Sequence, residues 1–216
     1  MQKCALFNGM GEEEYGRLIK CLNPQIRHFS KNEILLLTGD KVRHIGILVK
    51  GSAAAYLEKA DGTQTLISNL APMSVFGEVL VSAQAQKSPV TIYATTDITA
   101  AFIQFEKIYS ICATNCNAHI IFLQNMLKII GDKYFQLFDR IAILREKTLR
   151  LKIISYLENL STNAPNETLT LPFSKTMLAN YLLVNRSALS KELKKMQQEG
   201  IISIKGRKIK KHLEKI

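Results

Sequence analysis

Apolar residues between Ile120 and Leu144 recur every seven positions. Ile120, Leu127, Tyr134 and Ile141 share one place in the repeat, and Leu123, Ile130, Leu137 and Leu144 stand three residues further on. A 3-4 spacing that never slips predicts a helix carrying the a/d seam of a coiled coil; a strand would alternate with period two. At about 1.5 Å per residue the stretch is roughly 37 Å long. Lys128, Asp132, Lys133, Gln136 and Asp139 fill much of the remaining surface. Either the chain's own core or a second copy of the helix can cover such a seam. The narrow stripe and the change of sequence texture on either side favour a second copy. Burying these side chains contributes on the order of 12–24 kcal/mol gross per chain as an upper bound, against about 4–15 kcal/mol for association. A parallel homodimer is therefore expected.

The pattern elsewhere is shorter in range. Residues 10–22 read as an amphipathic helix with Glu12, Glu13 and Glu14 at its positive end, stopped by Pro24. From Ile26 to about Phe105, apolar runs at 34–37, 45–49, 53–57, 66–67, 90–94 and 100–105 alternate with turn signals such as Gly39-Asp40, Gly51 and Asp61-Gly62. Strands at that spacing predict an antiparallel sandwich or barrel. A helical spine is expected over 107–146 and a second helix over 148–160. A polar loop over 161–167 and a short strand over 169–171 follow. Ser174 caps a helix containing Met177, Leu178 and Leu182, Val184-Asn185 breaks it, and Asn185 caps another from Arg186 to about Gln198. Gly200 closes that helix, and residues 201–210 read as a β-hairpin. The expected class is α+β, divided into an antiparallel β-rich part (1–110), a long helix that pairs with a second copy (111–146) and a winged helix-turn-helix (147–216).

Charge sharpens this division. The 216-residue chain has a net charge of +11. Residues 1–139 hold 13 Lys/Arg against 12 Asp/Glu, a net of +1, while residues 140–216 hold 16 against 6, a net of +10. A basic lobe beside a neutral one points to a polyanion for one half only. No run of about 18 apolar residues suggests a membrane span, and the N-terminus looks unlike a secretory signal, so a cytoplasmic protein is expected. Cys4, Cys21, Cys112 and Cys116 form no CxxC pair and read as reduced thiols rather than metal ligands.

The last third therefore carries the functional expectation. Ala179 lets two helices approach, with Leu182 and Leu189 filling the wedge between them. A recognition helix reads bases from its first turns, which here present Arg186, Ser187, Ser190 and Lys191. Lys175 and Thr176 at the first helix, and Lys205, Arg207 and Lys208 at the wing, suit phosphates. The expected partner is double-stranded DNA.

These residues resemble a family. Gly39-Asp40, Gly51-Ser52, Asp61-Gly62 and Phe76-Gly77-Glu78 in the β-rich half, with Leu178-Ala179-x-Tyr181-Leu182 and Asn185-Arg186-Ser187-Ala188-Leu189-Ser190 in the basic half, are similar in order and spacing to the bacterial CRP/FNR transcription regulators. The resemblance implies a β-roll sensor, a dimer helix, a winged helix that binds near-palindromic DNA, RNA polymerase as a partner, and reorientation of the DNA heads through a hinge near Asp139–Ile143. It places an effector near Gly77, Glu78, Lys87, Ser88, Asn125 and Met126.

The effector itself is left open. Cyclic-nucleotide-binding members carry Arg-Ser where this chain has Lys87-Ser88-Pro89. Lysine cannot reproduce the bidentate fork of arginine, and Pro89 removes a backbone donor. Cys4 and Cys21 do not match an iron–sulfur grouping, and nothing makes His44 a haem ligand. A small effector or a redox signal is expected, with neither nucleotide, haem nor cluster favoured. Two rival functions remain compatible with parts of the pattern. One is a sensor module acting on a protein partner, which the basic head opposes. The other is a metal-dependent enzyme on a double-stranded β-fold, which the scattered His28, His44, His119 and His212 oppose. The chain is expected not to be an enzyme.

Overall fold

The computed structural model describes every residue except 59–60, 84–86, 110–116, 162–167, 172–173, 207 and 213–216. Contacts divide the chain into Met1–Lys133 and Tyr134–Ile216.

In the first unit, α1 (Glu12–Leu22) begins where the Gly11 N–H donates to the Glu14 carboxylate at 3.1 Å. It ends on Asn23 in the left-handed region, φ 43°, one residue before Pro24. The roll follows as β1 (Gln25–Phe29), β2 (Ile34–Leu36), β3 (His44–Lys50), β4 (Ala53–Glu58), β5 (Gln64–Leu70), β6 (Val75–Phe76), the short helix α2 (Glu78–Ser82), β7 (Thr91–Ala94) and β8 (Ile98–Gln104). Each apolar run expected to be extended coincides with a strand except for one end residue in three of them, Leu37, Val90 and Phe105; β1, β6 and α2 are additions that no long apolar run announced. The strands form two antiparallel sheets, β1-β8-β3-β6 and β2-β7-β4-β5, a jelly-roll arrangement. The expected spine over 107–146 is realised as α3 (Glu106–Tyr109) and α4 (Asn117–Arg145), with 110–116 outside the described residues.

Two apolar layers hold this unit. Leu48, Phe76, Ala100 and Phe102 from one sheet meet Ala53, Ala55, Leu70, Ile92 and Ala94 from the other. The opposite face of the first sheet carries Ile45, Ile47, Ala101 and Ile103 against α1 and against Ala118, Phe122 and Met126 of α4. That sheet is covered on both faces, which is why β3 and β8 read as unbroken apolar runs rather than alternating ones. Gly46 in β3 makes room between the layers: a Cβ there would lie 2.0 Å from the Phe76 ring. Gly46→Ala is expected to lower stability by about 3 kcal/mol, the upper part of the overpacking range, because a whole ring must move. A urea midpoint equal to the wild type would contradict it.

In the second unit, α4's last turns lead to α5 (Leu149–Ser161), β9 (Leu169–Thr170), α6 (Lys175–Tyr181), α7 (Arg186–Gln198), β10 (Ile202–Lys205) and β11 (Lys208–Lys211). The three strands pair in the order β10-β11-β9. Ile143, Ile153, Leu157, Leu178, Ala179, Leu182, Leu189, Leu193, Met196 and Ile209 form one core. The segment expected to be a hinge, Asp139–Ile143, supplies Ile143 to this core and Arg140 to its edge, at 2% and 9% exposure.

Candidate nucleic-acid interface and effector site

The helix-turn-helix is assembled by local rules. Ser174 Oγ accepts from the Met177 N–H at 3.3 Å, and Asn185 Oδ1 accepts from the Ser187 N–H at 3.0 Å. Each thereby satisfies an orphan donor at a helix start. Leu182 and Leu189 are fully buried in the wedge, and Ala179 sits there without obstructing the approach. Leu183 holds the turn in the left-handed region, φ 53°. A side chain is strained there, by about 1–2 kcal/mol. The turn is therefore made despite the absence of glycine. Gly200, φ 71°, ends α7, with the Ile201 N–H reaching back to the Met196 carbonyl at 3.0 Å.

At about 100° per residue, Ser187, Lys191 and Lys194 point away from the buried Leu189–Leu193–Met196 stripe, with Arg186 and Ser190 on one flank. Arg186, Ser187, Lys191 and Lys194 are exposed and Ser190 is half-buried. Ser187 Oγ already donates to Asn185 Oδ1 at 2.9 Å, so it reaches a partner chiefly as an acceptor. The other flank is acidic but neutralised. Arg150 of α5 holds Glu192 at 2.7 Å and grips both Glu199 oxygens at 2.6 and 3.1 Å. Those hydrogen bonds hold the Glu199 carboxyl below its ordinary range and push the guanidinium up. The exposed face thus keeps its positive balance beside the positive N-terminus of α7. Lys175 and Thr176 are exposed at the start of α6, and Lys205 and Lys208 pair across the wing turn beside Gly206. Arg207 lies outside the described residues. Lys194, absent from the expectation, shares the face of Lys191 one turn on; that spacing was its only signal.

α4 has two apolar faces. Phe122 and Met126 are buried in the chain's own core, whereas Ile120, Leu127, Tyr134, Leu137 and Ile141 are 50–67% exposed. Leu123 and Ile130 pack at the margin of the roll core, and Leu144 is half-buried. Phe135 and Phe138, outside the heptad seam, add exposed apolar surface beside it.

At the Gly77-Glu78 cassette, the turn that opens α2, Gly77 adopts φ 80°, and a Cβ there would lie 2.8 Å from the His44 carbonyl, so glycine alone fits. This turn drops Glu78 to 1% exposure. Its Oε1 accepts from Lys133 Nζ of α4 at 2.7 Å, and the same ammonium donates to the Val75 carbonyl at 2.7 Å. Oε2 has no partner among the described residues. The sequence pattern marks Lys133 only as a polar position on the spine. Lys87 is exposed. Ser88 is buried, with its hydroxyl donating to the Val90 carbonyl at 2.8 Å and its backbone bonded to Gly39 and Asp40. Asn125 donates to the Leu6 and Asn8 carbonyls at 3.1 and 2.9 Å, tying down the N-terminal segment, and Met126 is core. The six expected effector residues thus divide: Gly77 and Glu78 form one local site with Lys133, Lys87 is exposed, and Ser88, Asn125 and Met126 are held by hydrogen bonds or core packing within the chain.

Among the described residues, no group of His, Cys, Asp and Glu is placed to hold a metal ion, and no helix is long and apolar enough to cross a membrane. Cys4 is buried, which pushes its thiol up; Cys112 and Cys116 lie outside the described residues. His44 stands edge-on to Phe102, its imidazole held below the ordinary range by burial and then by Arg27.

Two family models match the chain: a cyclic nucleotide-binding domain over residues 26–115 and a Crp-like helix-turn-helix domain over residues 151–213. No curated protein matches it. Among solved structures, it is similar to the c-di-GMP responsive global regulator CLP of Xanthomonas campestris, at 15% identity and TM-score 0.69, covering 94% of this chain and 99% of that one. It is similar to CprK in complex with OCPA, at 17% identity and TM-score 0.76, covering 94% of each chain. A CooA mutant from Carboxydothermus hydrogenoformans matches at 20% identity and TM-score 0.70, covering 91% of this chain and 85% of that one.

Proposed function

Because the chain belongs to the CRP/FNR family of DNA-binding transcription regulators, we propose that it acts as a parallel homodimer that reads a near-palindromic site with Arg186, Ser190, Lys191 and Lys194. Lys175, Thr176, Lys205, Arg207 and Lys208 are assigned to phosphates. The division into sensor, dimer helix and head at 1–110, 111–146 and 147–216 belongs to this reading. So do a cytoplasmic location, RNA polymerase as partner and the absence of catalysis. The single observation that carries it is a capped, basic recognition helix following a long helix whose second apolar face is open to a copy of itself.

The effector of the roll is assigned to the region of Gly77, Glu78 and Lys87 and remains a small molecule or redox signal in this reading. A cyclic nucleotide is disfavoured on two counts. Lys87 stands where the phosphate fork would be needed, and the Glu78 carboxylate is already engaged by Lys133.

DNA selected by the full-length protein from a random pool tests the reading. Affinity is expected to fall with salt at a log–log slope near −0.9 per neutralised phosphate. Arg186→Ala is expected to cost about 1–3 kcal/mol on the selected duplex and to relax preference at one base pair. Equal losses on selected and random duplexes would reduce Arg186 to a phosphate contact; a flat salt dependence would remove the basic docking face altogether.

A further inference from the structure

Arg140 is the one charged residue of the second unit that the structure buries among the described residues. Its neighbours on α4 do the opposite: Leu137 and Ile141 are exposed on the seam, and Phe138 beside them. The guanidinium is turned toward α6. Its Nε donates to the Tyr181 carbonyl at 3.3 Å, and its carbon lies 4.7 Å from the centre of the Tyr181 ring. That ring in turn leans on Tyr156 of α5, 5.5 Å away. Burial holds the guanidinium below its ordinary value, as expected of a cation taken out of water and compensated by a ring face and a carbonyl.

The position of Tyr181 gives this contact its consequence. It is the last residue of α6, and its carbonyl belongs to the negative end of that helix, where a cation is favoured. The carbonyls of Leu178, Ala179 and Asn180 accept from Leu182, Val184 and Leu183 of the turn, while that of Tyr181 is taken by Arg140. Five residues later Arg186 opens the recognition helix. On α4, Arg140 adjoins Ile141 in sequence, so one helical turn carries seam residues outward and the head's anchor inward. Ile143, two residues beyond Ile141, is packed in the core of the same unit, and Arg140 adds to that packing a directed, polar link from α4 to the end of α6 just before α7.

We infer that Arg140 is a positioning residue for DNA recognition, fixing the bearing of the recognition helix against the dimer seam by clamping the C-terminal end of α6. The inference rests on the proposed homodimer and deepens it: Arg140 touches no DNA but sets whether two heads fit two half-sites together. A paired site gains from a second contact made at high effective concentration, and that gain is lost when the heads are free to wander.

The test compares one duplex selected by the wild-type protein with the same duplex scrambled in one half. Arg140→Met is expected to lower affinity for the intact duplex by about tenfold or more, while changing affinity for the half-scrambled duplex by less than about twofold. Arg140→Lys keeps the charge and a donor but not the flat stack, and is expected to fall between. Sedimentation should show a dimer for both. Parallel losses on the two duplexes would make Arg140 merely structural, and no loss on either would remove the role; both results overturn the inference. If Arg140→Met does not fold, Tyr181→Leu decides: it removes the ring and leaves the carbonyl, and an unchanged ratio between the duplexes overturns the clamp. A wild-type protein that selects no duplex, or sediments as a single chain, overturns the underlying reading and the inference with it.

Discussion

Replacing Leu127 and Leu137 together with aspartate is expected to yield a folded single chain that no longer holds its partner. Both side chains are exposed, at 67% and 56%, so neither unit depends on them for its own core. In the proposed dimer each faces its copy across the two-fold axis, so four carboxylates would enter the seam. Each buried apolar side chain contributes roughly 1.5–3 kcal/mol, and an unpaired charge in its place costs several kcal/mol more. A loss of at least about 4 kcal/mol in dimer stability follows, or roughly a thousandfold in dissociation constant. Sedimentation velocity at micromolar concentration reads it directly, and far-UV circular dichroism should be unchanged. Phe122→Ala is the contrasting control. Phe122 is fully buried on α4's other face, so its truncation should lower stability by about 3–5 kcal/mol without acting on the seam. A double aspartate variant that still sediments as a dimer would place the partner on another surface.

The second large effect concerns the buried pair in the roll. Lys133→Met is expected to destabilise the first unit by about 2–4 kcal/mol. Removing one partner from a buried ion pair costs about 3–5 kcal/mol, and the estimate is lowered here because solvent reaches the lysine. The lysine side chain is 38% exposed and the glutamate 1%. The variant leaves Glu78 with a second carboxylate oxygen lacking a partner and also deprives the Val75 carbonyl of its donor. Glu78→Gln in the same chain should return part of the loss, because a neutral amide replaces the stranded charge. Urea unfolding followed on both units is the measurement, since two units need not melt as one. If the single variant unfolds at the wild-type midpoint, the pair is a surface contact and the cassette is not tied to α4.

The comparison of expected and observed elements follows the range of the interactions involved. The strands with continuous apolar runs, the two helix caps Ser174 and Asn185, and the glycine closing α7 were all legible, because each depends on residues within a few positions. β1 and α2 were not: β1 lies mostly exposed, and α2 is a single short turn set by Gly77 rather than by periodicity. On α4 the heptad marked the open face correctly as apolar. It also concealed a second face, since Phe122, Met126 and Lys133 fall between the heptad positions and are engaged by a sheet whose place the helix pattern cannot report. The resemblance alone points to Asn125 and Met126 as effector contacts; only the fold shows that Asn125 is bonded to the N-terminal segment and that Met126 packs in the core.

By itself, then, the amino-acid order determined the parts: a roll of short strands, a long heptad helix, and a capped, basic pair of helices with a wing. Periodicity, caps and turn residues act over a few positions, so they survive without knowledge of the rest. Tertiary structure alone decided which side chains meet across 41 positions, as Arg140 and Tyr181 do, or across 55, as Lys133 and Glu78 do. Such pairs arise because burial forces a charge to find whatever carbonyl, ring or carboxylate the folded chain brings beside it, and no local pattern records that choice.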